Sequence, residues 1–381
     1  MQHQLRQIDQ EIIQLLGKRI TALAESSTSD LETTLSDYEK TLKQAGVPTL
    51  IWQNILVGCI AALAHKKSSL IPSKPRRVTV IGGRGAMGRF FSQQLFAAGH
   101  HVNILDTGDW DQAEYLLNQV DLVLVCVPIE YTLEVIRKVS QYLSPTTALA
   151  DIASIKSSVV QAMLSHHSGP VMGLHPMFGP GVTSFLSQKI VVSPGRLEEQ
   201  FHWFLNLMVG EGGKLIFSTP EEHDEVMVIV QAIRHFITLS SGAFLSEEKV
   251  DINRTLDFST PIYRQEIGII SRLITQSAPM VADIILATPE RRDAIARLAN
   301  TNNRIAQLVV QGDRDSLISE LQGLQQFFGE EATDSLQESN YVINALTSLL
   351  TANEVQQNQF VPISETPIPQ DKVDLCNANM I

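Results

Sequence analysis

The sequence predicts an α/β fold in which a doubly wound parallel sheet is followed by an all-helical domain and preceded by a helical N-terminal appendage. Three observations support this prediction. Strand-like and helix-like runs alternate between residues 78 and about 192, as a parallel sheet with crossover helices requires. From about residue 197 to 350 the pattern is nearly all helical. Residues 1–67 also carry apolar side chains at helical spacing.

Short apolar runs predict the strands of the sheet, and longer periodic runs predict the helices that follow it. The predicted strands are Val78–Ile81, Val102–Leu105, Leu122–Val127, Ala148–Ile152, Val171–Leu174 and Ile190–Val192. Examples of predicted helices are residues 48–65, Glu221–Glu247, Ile262–Thr275, Met280–Ala287 and Arg291–Gln311.

Composition shifts divide the chain into five segments. A linker is predicted where Pro72 and Pro75 interrupt both patterns. A polar end rich in Gln, Asn and Pro predicts a disordered tail. The segments are the appendage 1–67, the linker 68–77, the sheet domain 78–195, the helical domain 196–350 and the tail 351–381.

Charge and cysteine content restrict the class of protein. A net charge of −12 argues against a general binder of nucleic acid or anionic membranes. Cys59, Cys126 and Cys376 are isolated and lack metal-ligand spacing, so we expect a reducing cytoplasm, no disulfide and no metal site. The N-terminus lacks the apolar run of a signal peptide. The most apolar stretch, Leu50–Ala64, is too short to span a bilayer and indicates a buried helix.

A glycine motif follows the first predicted strand. Gly83, Gly85 and Gly88 have G-x-G-x-x-G spacing and precede the helical run Met87–Ala98. In Rossmann-type domains these glycines permit a tight turn, backbone approach to the pyrophosphate and close helix–strand packing. The phosphates then lie at the N-terminus of the following helix. We therefore predict cofactor contacts from Gly83, Gly85, Ala86, Met87 and Gly88.

Asp106 ends the second predicted strand, 23 residues after Gly83. An acid at this place accepts hydrogen bonds from the adenosine ribose and repels a 2′-phosphate, so NAD is favoured over NADP. The alternative to a dinucleotide site is a structural glycine-rich turn beside a solvated aspartate. The third strand places Cys126 and Pro128 at its carboxyl end, beside the expected nicotinamide.

His175 lies in a loop shaped by glycine and proline, Gly173–Pro180, at the carboxyl end of a later strand. A neutral histidine can accept a proton, which oxidation of an alcohol by hydride transfer requires. The residues leave open a structural histidine that caps a turn. Lys156 ends the run Asp151–Lys156 and either orients substrate or a nearby carboxylate, or is a solvated lysine at a helix start.

Together these residues resemble prephenate dehydrogenases, in particular the dehydrogenase part of bifunctional chorismate mutase/prephenate dehydrogenases. The resemblance covers roughly residues 76–350 and is most specific in Gly173–Pro180. The other matching segments are 80–89, 125–129, 151–156, 231–236 and 259–264.

The resemblance implies that prephenate and NAD⁺ are converted to 4-hydroxyphenylpyruvate, CO₂ and NADH, towards tyrosine. It implies His175 as the general base, with Lys156 also in the catalytic site. It assigns Arg264 and Arg272, eight positions apart, to the carboxylates of the substrate. The resemblance also carries over His235 and Cys126 as substrate-site residues, although many relatives have Ser where Cys126, a weaker donor, stands.

The N-terminus resembles the first helix of a small chorismate mutase domain, with Arg19 at the end of the motif. The arginine expected about five turns earlier falls at Gln2. The polar stretch Ser26–Ser36 replaces the expected basic elements, and no basic residue lies between Arg19 and Lys40. Because such mutases need several cations, we expect a degenerate, structural appendage without substantial mutase activity.

Three alternatives remain open from the sequence: an arogenate dehydrogenase, a bifunctional enzyme with residual mutase activity, and a non-catalytic subunit that senses nucleotide or tyrosine.

The helices after residue 221 carry more apolar surface than one small layer would bury, which together with the resemblance predicts a homodimer. The predicted dimer residues are Val226, Ile229, Val230, Ile233 and Ile237.

Overall fold

A computed structural model describes residues 2–25, 35–66, 74–179 and 181–356. The N-terminal segment consists of α1 (Gln2–Glu25), a short 3₁₀ turn (Leu35–Tyr38), α2 (Glu39–Ala45) and α3 (Thr49–Lys66). Leu56 and Cys59 of α3 are buried, whereas Ile51, Val57 and Ile60 are exposed, so α3 is only partly the buried helix expected. Most of the predicted linker, and Cys376, lie outside the described residues.

In the described part of the chain the sheet has seven strands in the order β2-β1-β3-β4-β5-β6-β7, and the first five in this order run parallel. All six predicted strands are present, and the predicted fold class is confirmed. The strands are β1 (Arg77–Ile81), β2 (His101–Leu105), β3 (Leu122–Val125), β4 (Ala148–Asp151), β5 (Val171–Pro176), β6 (Lys189–Arg196) and β7 (Lys214–Phe217).

Two features of the sheet differ from the prediction. Strand β6 runs antiparallel to β5, and β7 is parallel to β6. A parallel connection needs a crossover of a dozen or more residues, usually a helix, and the described residues between β5 and β6 form none. Strand β7 is a short edge strand inside a region whose pattern looked helical. The sheet therefore continues past residue 195, where its domain was predicted to end.

Helices cover both faces of the sheet, which buries the strands in two apolar layers. Helices α4 and α8 pack on one face through residues such as Phe91 and Phe204, and α5, α6 and α7 pack on the other through Ile136 and Val159. These helices are α4 (Ala86–Ala97), α5 (Ala113–Leu116), α6 (Ile129–Val139), α7 (Ser157–His166) and α8 (His202–Gly210).

The rest of the described chain is helical, as predicted. Helices α9 and α10 form one stretch interrupted by a π-helical segment, Val228–Ile233. The helix α16 continues to Gln356, six residues into the segment for which a disordered tail is predicted. The helices are α9 (Pro220–Met227), α10 (Arg234–Glu247), α11 (Ile252–Asp257), α12 (Pro261–Ile274), α13 (Ala278–Leu286), α14 (Pro289–Gln311), α15 (Arg314–Phe328) and α16 (Glu331–Gln356).

The chain divides into two compact units. The first consists of Met1–Ser240 and Leu273–Ala299, and the second of Ser241–Arg272 and Asn300–Ile381. Among the residues that the structure describes, one helical stretch, Pro220–Glu247, could cross a membrane by length and composition, as could two sharply bent helix pairs if each acted as one span. The N-terminal turn of Pro220–Glu247 carries several charged residues, and one of them, Asp224, bonds to backbone of the sheet domain.

Gly88 is the position where α4 comes closest to the turn after β1. A Cβ atom there would lie 2.2 Å from the Gly82 carbonyl oxygen, so α4 would have to move away. We predict that Gly88→Ala lowers the free energy of unfolding by about 1–3 kcal/mol, as overpacking does. Gly108→Ala, which adds a Cβ where no atom lies within 4 Å, is the control and should change it by less than about 0.5 kcal/mol. Equal urea denaturation midpoints for both variants would contradict the packing argument.

Candidate functional site

The turn between β1 and α4 is built from glycines at positions where a Cβ would be crowded. Gly82 adopts a positive φ of 76°, so the residue that needs glycine for the turn lies one position before the predicted Gly83. A Cβ on Gly83 would instead meet Ile104 of β2 at 2.8 Å. Gly85 precedes α4, and a Cβ there would meet only the Gly82 carbonyl oxygen, at 3.1 Å. No side chain caps this helix and its first turn holds no acid, which suits an anion.

Asp106 follows β2 beside this turn, as predicted. Its carboxylate accepts hydrogen bonds from the backbone N–H groups of Arg84 (3.1 Å) and Thr107 (3.0 Å). Asp109 closes the turn after β2, because its Oδ2 accepts from the Asp106 N–H at 2.9 Å. The Arg84 guanidinium forms two hydrogen bonds to Asp109, of 2.7 and 3.0 Å. Sequence analysis singled out neither Arg84 nor Asp109.

Cys126 and Pro128 follow β3, which ends at Val125, two residues earlier than predicted. The Cys126 N–H donates to the Ile81 carbonyl at 2.8 Å. Burial, and secondarily Asp151, raise the pKa of the Cys126 thiol well above its ordinary value. The thiol therefore stays protonated and offers only a weak donor. Pro128 lies directly before α6.

His175 is the last but one residue of β5 and is the first member of a hydrogen-bonded chain of three side chains. Its Nδ1 lies 2.8 Å from Nε2 of His223, and Nδ1 of His223 lies 2.8 Å from Oδ1 of Asp224. Both histidines are buried. His223 and Asp224 belong to α9, which begins at Pro220 with Thr219 as its cap. These three hydrogen-bonded side chains therefore join the sheet to the beginning of α9.

Asp224 is held at the start of α7. Its two oxygens accept from the backbone N–H groups of Lys156 (2.7 Å) and Ser157 (2.9 Å). Burial by itself would raise the pKa of Asp224, but hydrogen bonds from His223, Ser157 and Lys156 outweigh it and lower the pKa to about 2. Asp224 is therefore an anion at neutral pH.

The anion at the end of the chain determines where the histidine protons lie. A carboxylate only accepts hydrogen bonds, so Nδ1 of His223 donates to Asp224. In neutral His223 the other nitrogen, Nε2, then has no proton and accepts from Nδ1 of His175. When both rings are neutral, His175 therefore carries its proton on Nδ1 and a lone pair on Nε2. This is the tautomer of a base that is ready to accept a proton.

Burial also keeps His175 neutral. It lowers the pKa of His175 well below the ordinary value, and the neighbouring His223, Lys156 and Arg291 lower it further, while Asp224 opposes them. A neutral imidazole can act as a base at physiological pH. Among the described residues no group of three or more His, Cys, Asp or Glu side chains could hold a metal ion.

Lys156 is fully buried and its Nζ lies 2.5 Å from Oδ2 of Asp151, at the end of β4. Burial lowers the pKa of Lys156 although Asp151 opposes the shift, and burial raises the pKa of Asp151 although Lys156 opposes it. The lysine thus orients a carboxylate, one of the two functions weighed from the sequence, and is no solvated helix-start residue.

Arg291 and His235 are also buried near these groups. Arg291 donates to the backbone carbonyls of Ile284 (2.5 Å) and Ser154 (3.0 Å). His235 donates from Nδ1 to the Gln231 carbonyl at 2.6 Å, which leaves its Nε2 free to accept. Burial lowers the pKa of both side chains.

The structure brings His175 and Lys156 together through Asp224, while the two predicted arginines lie in the second compact unit. Arg264 and Arg272 share helix α12, and Nη2 of Arg264 donates to the Leu256 carbonyl at 3.4 Å. Sequence analysis missed His223, Asp224 and Arg291. The Thr219-Pro220 start of α9 is a readable helix signal, but nothing local indicates that this turn meets β5.

Two family models cover most of the chain. The model "Prephenate dehydrogenase, nucleotide-binding domain" matches residues 84–217, and "Prephenate dehydrogenase, dimerization domain" matches residues 219–323. The first match ends with β7, where the observed sheet ends. Together the two models cover more than half of the sequence.

Curated proteins and solved structures agree with these models. A T-protein of Enterobacter agglomerans is 33% identical, over 91% of this chain and 96% of its own length. A T-protein of Haemophilus influenzae is 31% identical, over 92% and 97%. The structure of prephenate dehydrogenase from A. aeolicus, with hydroxyphenyl propionate and NAD⁺, has a TM-score of 0.54 at 20% identity and covers 68% of this chain and 99% of its own. At that identity the last likeness concerns the fold.

Asp224 should contribute to stability in a pH-dependent way. Because its pKa is lowered to about 2, its contribution is present above the ordinary carboxyl pKa and is lost as the pH falls through about 2. We predict that Asp224→Ala lowers the free energy of unfolding by about 2 kcal/mol at pH 7, and that this difference roughly halves by pH 3. Urea denaturation at both pH values measures it. Glu225→Ala, at an exposed acid on the same helix, is the control, and a pH-independent deficit in Asp224→Ala would contradict the assignment.

Proposed function

This chain belongs to the prephenate dehydrogenase family, and from that premise we propose that it catalyses the NAD-dependent oxidative decarboxylation of prephenate to 4-hydroxyphenylpyruvate, in the cytoplasm and for tyrosine synthesis. The observation that supports this proposal most is the state of His175. Its hydrogen bond to His223 leaves Nε2 with a lone pair, and its lowered pKa keeps the ring neutral.

In the proposed reaction, Nε2 of His175 accepts the proton of the ring hydroxyl. NAD⁺, when bound, would accept the hydride that leaves the ring carbon bearing this hydroxyl. Loss of the ring carboxylate as CO₂ then yields an aromatic ring, so the reaction is strongly downhill and chiefly needs positioning. Asp224 stabilises the positive charge that His175 and His223 share after proton transfer, since an anion favours a nearby cation.

The cofactor is proposed to lie along the carboxyl ends of β1, β2 and β3. Support comes from the glycine at position 85, where a Cβ would lie 3.1 Å from the Gly82 carbonyl oxygen, the uncapped start of α4 and the carboxylate of Asp106. These features suit the pyrophosphate and the adenosine ribose. The proposed contact residues are Gly83, Gly85, Ala86, Met87, Gly88, Asp106 and Pro128.

Prephenate carries two carboxylates, so cationic donors should hold it. We propose Arg264 and Arg272 for this role, because guanidinium groups bind carboxylates with two parallel hydrogen bonds. His235 and Cys126 are proposed to contact the substrate as well. Lys156, which is buried against Asp151, is proposed as a positioning residue that also holds Asp224 through its backbone N–H.

Arogenate is the second candidate substrate. A relative from Methanocaldococcus jannaschii, 33% identical over 71% of this chain and 65% of its own length, is named "Probable arogenate/prephenate dehydrogenase". A purified-enzyme assay that pairs prephenate or arogenate with NAD⁺ or NADP⁺ decides between them. The proposal expects the highest kcat/KM for prephenate with NAD⁺, and a preference for arogenate would overturn it.

The N-terminal helices are proposed to be a structural appendage without chorismate mutase activity. The Arg19 guanidinium lies 5.8 Å from the centre of the Trp52 ring, and Trp52 packs against Tyr38. A cation held over an aromatic ring contributes to packing of the helices. Stabilising a dianionic transition state would need further cations beside it.

His175→Asn should slow the chemical step. Asn keeps one hydrogen bond but removes the base, so we predict a kcat lower by about 10²–10⁴-fold, with NADH binding unchanged. Because the pKa of His175 is lowered, wild-type activity should persist below pH 6.5 and fall as the pH drops through that lowered pKa. This fall of activity at low pH should be missing from the pH profile of the variant. Arg272→Ala is the contrast and should mainly raise KM. A wild-type kcat in His175→Asn would remove the histidine from the mechanism.

Asp106→Ala should weaken NAD⁺ binding more than NADP⁺ binding. The carboxylate lies beside the proposed ribose site and would both accept from ribose hydroxyls and repel a 2′-phosphate. We therefore predict that the wild type prefers NAD⁺ and that the variant prefers it less, as measured by KM for both cofactors. A wild type that used NADP⁺ better would show that Asp106 does not face the ribose.

We propose a homodimer that covers the apolar side of α9, the π-helical segment and α10. Val226, Ile229, Val230 and Ile237 are exposed there, and the matching family model describes a dimerization domain. Light scattering at micromolar concentration should give twice 42.1 kDa. Ile229→Glu should weaken the dimer, whereas Tyr115→Glu, at a residue 80% exposed on α5, should not. A monomeric wild type would contradict the proposal.

A further inference from the structure

An arginine lies next to Asp106, the acid that is proposed to bind the ribose of the cofactor. Arg84 is the second residue of the glycine motif, and its backbone N–H donates to Oδ2 of Asp106. An arginine near this position is what NADP-binding domains use to accommodate a 2′-phosphate. The cationic side chain of Arg84 therefore works against the NAD preference that Asp106 alone would give.

The Arg84 guanidinium is occupied by Asp109. Nη1 and Nη2 donate to the two oxygens of Asp109 at 2.7 and 3.0 Å, a fork-to-fork pair. Asp109 is itself fixed, because its Oδ2 accepts from the Asp106 N–H at 2.9 Å and its own N–H donates to the Asp106 carbonyl at 3.0 Å. The Asp109 side chain is therefore fixed and only 19% exposed, whereas the Arg84 side chain is 60% exposed.

We propose that Asp109 is a specificity-determining residue, which holds the Arg84 guanidinium and so prevents it from binding the 2′-phosphate of NADP. With Asp109 present, the side chains of Asp106, Asp109 and Arg84 sum to a charge of −1, which repels a phosphate. Without its carboxylate the sum is zero and a five-donor guanidinium is free beside the ribose. This inference rests on the proposed use of NAD.

Direct binding measurements test the inference. Kd values for NADH and NADPH come from the fluorescence of the bound nicotinamide in the full-length protein, without substrate. Asp109→Asn keeps an acceptor oxygen for the Asp106 N–H but loses the charge. It should lower the ratio Kd(NADPH)/Kd(NADH) by about tenfold, the low end of what one hydrogen bond between charged groups contributes. Asp111→Asn, at an exposed acid in the same loop, should leave the ratio unchanged.

The double variant Arg84→Gln/Asp109→Asn separates a freed arginine from a mere loss of negative charge. The inference expects the gain in NADPH binding to disappear in the double variant, while the thermal midpoint stays near that of Asp109→Asn. A gain that persists in the double variant, or a ratio in Asp109→Asn equal to that in Asp111→Asn, would overturn it. So would a wild type that binds NADPH as tightly as NADH.

These outcomes are distinct from failure of the proposed function. A wild type that binds NADH and discriminates against NADPH, yet does not turn over prephenate, overturns the proposed reaction and leaves the binding test of Asp109 intact. A wild type that oxidises prephenate with NAD⁺, but whose cofactor ratio does not respond to Asp109→Asn, overturns only the specificity inference.

Discussion

The carboxylate of Asp224 is the group on which the arrangement of the candidate site depends. It accepts hydrogen bonds from two backbone N–H groups at the start of α7 and one from the ring of His223. The first turn of a helix has unpaired N–H groups and a positive dipole end, so an anion there is strongly favoured. One side chain thereby attaches α9 to the sheet domain and fixes the proton positions on two histidines.

The charges around His175 have opposing effects that leave it neutral. Burial and the nearby cations Lys156 and Arg291 disfavour the protonated ring, whereas Asp224 favours it. Because the pKa of Asp224 is about 2, its negative charge is constant over the working pH range. Neutrality before the reaction and stabilisation after proton transfer are both needed in a general base. The buried pair of Lys156 and Asp151 supplies a cation close to His175 without exposing it to solvent.

Sequence reasoning succeeded where the pattern is local. The strands that precede Gly83 and Asp106 are short and mostly apolar, and the spacing between the two residues reflects one strand–helix–strand unit. It was less accurate where a tertiary constraint decides. The direction of β6 follows from a connection without a helix, and Gly82 must be glycine because its φ is positive and a Cβ there would lie 2.5 Å from the Cys126 carbonyl oxygen.

The site itself was only partly readable from the sequence. His175 stood out because its glycine- and proline-rich surroundings are distinctive, but its partners lie 48 and 49 positions later in a helix with no motif of its own. Arg84 was passed over as the variable residue of the glycine motif. Its pairing with Asp109 depends on the fold of the turn after β2, since 25 positions separate the two residues.

The central claim is that His175 is neutral with its proton on Nδ1 and a lone pair on Nε2. Long-range ¹H–¹⁵N correlation spectra of protein labelled with ¹⁵N-histidine measure this directly at pH 7.5, with His175→Asn used to assign the ring. We expect one protonated nitrogen, Nδ1, and an Nε2 chemical shift typical of an unprotonated imidazole nitrogen. A proton on Nε2, or on both nitrogens, would contradict it.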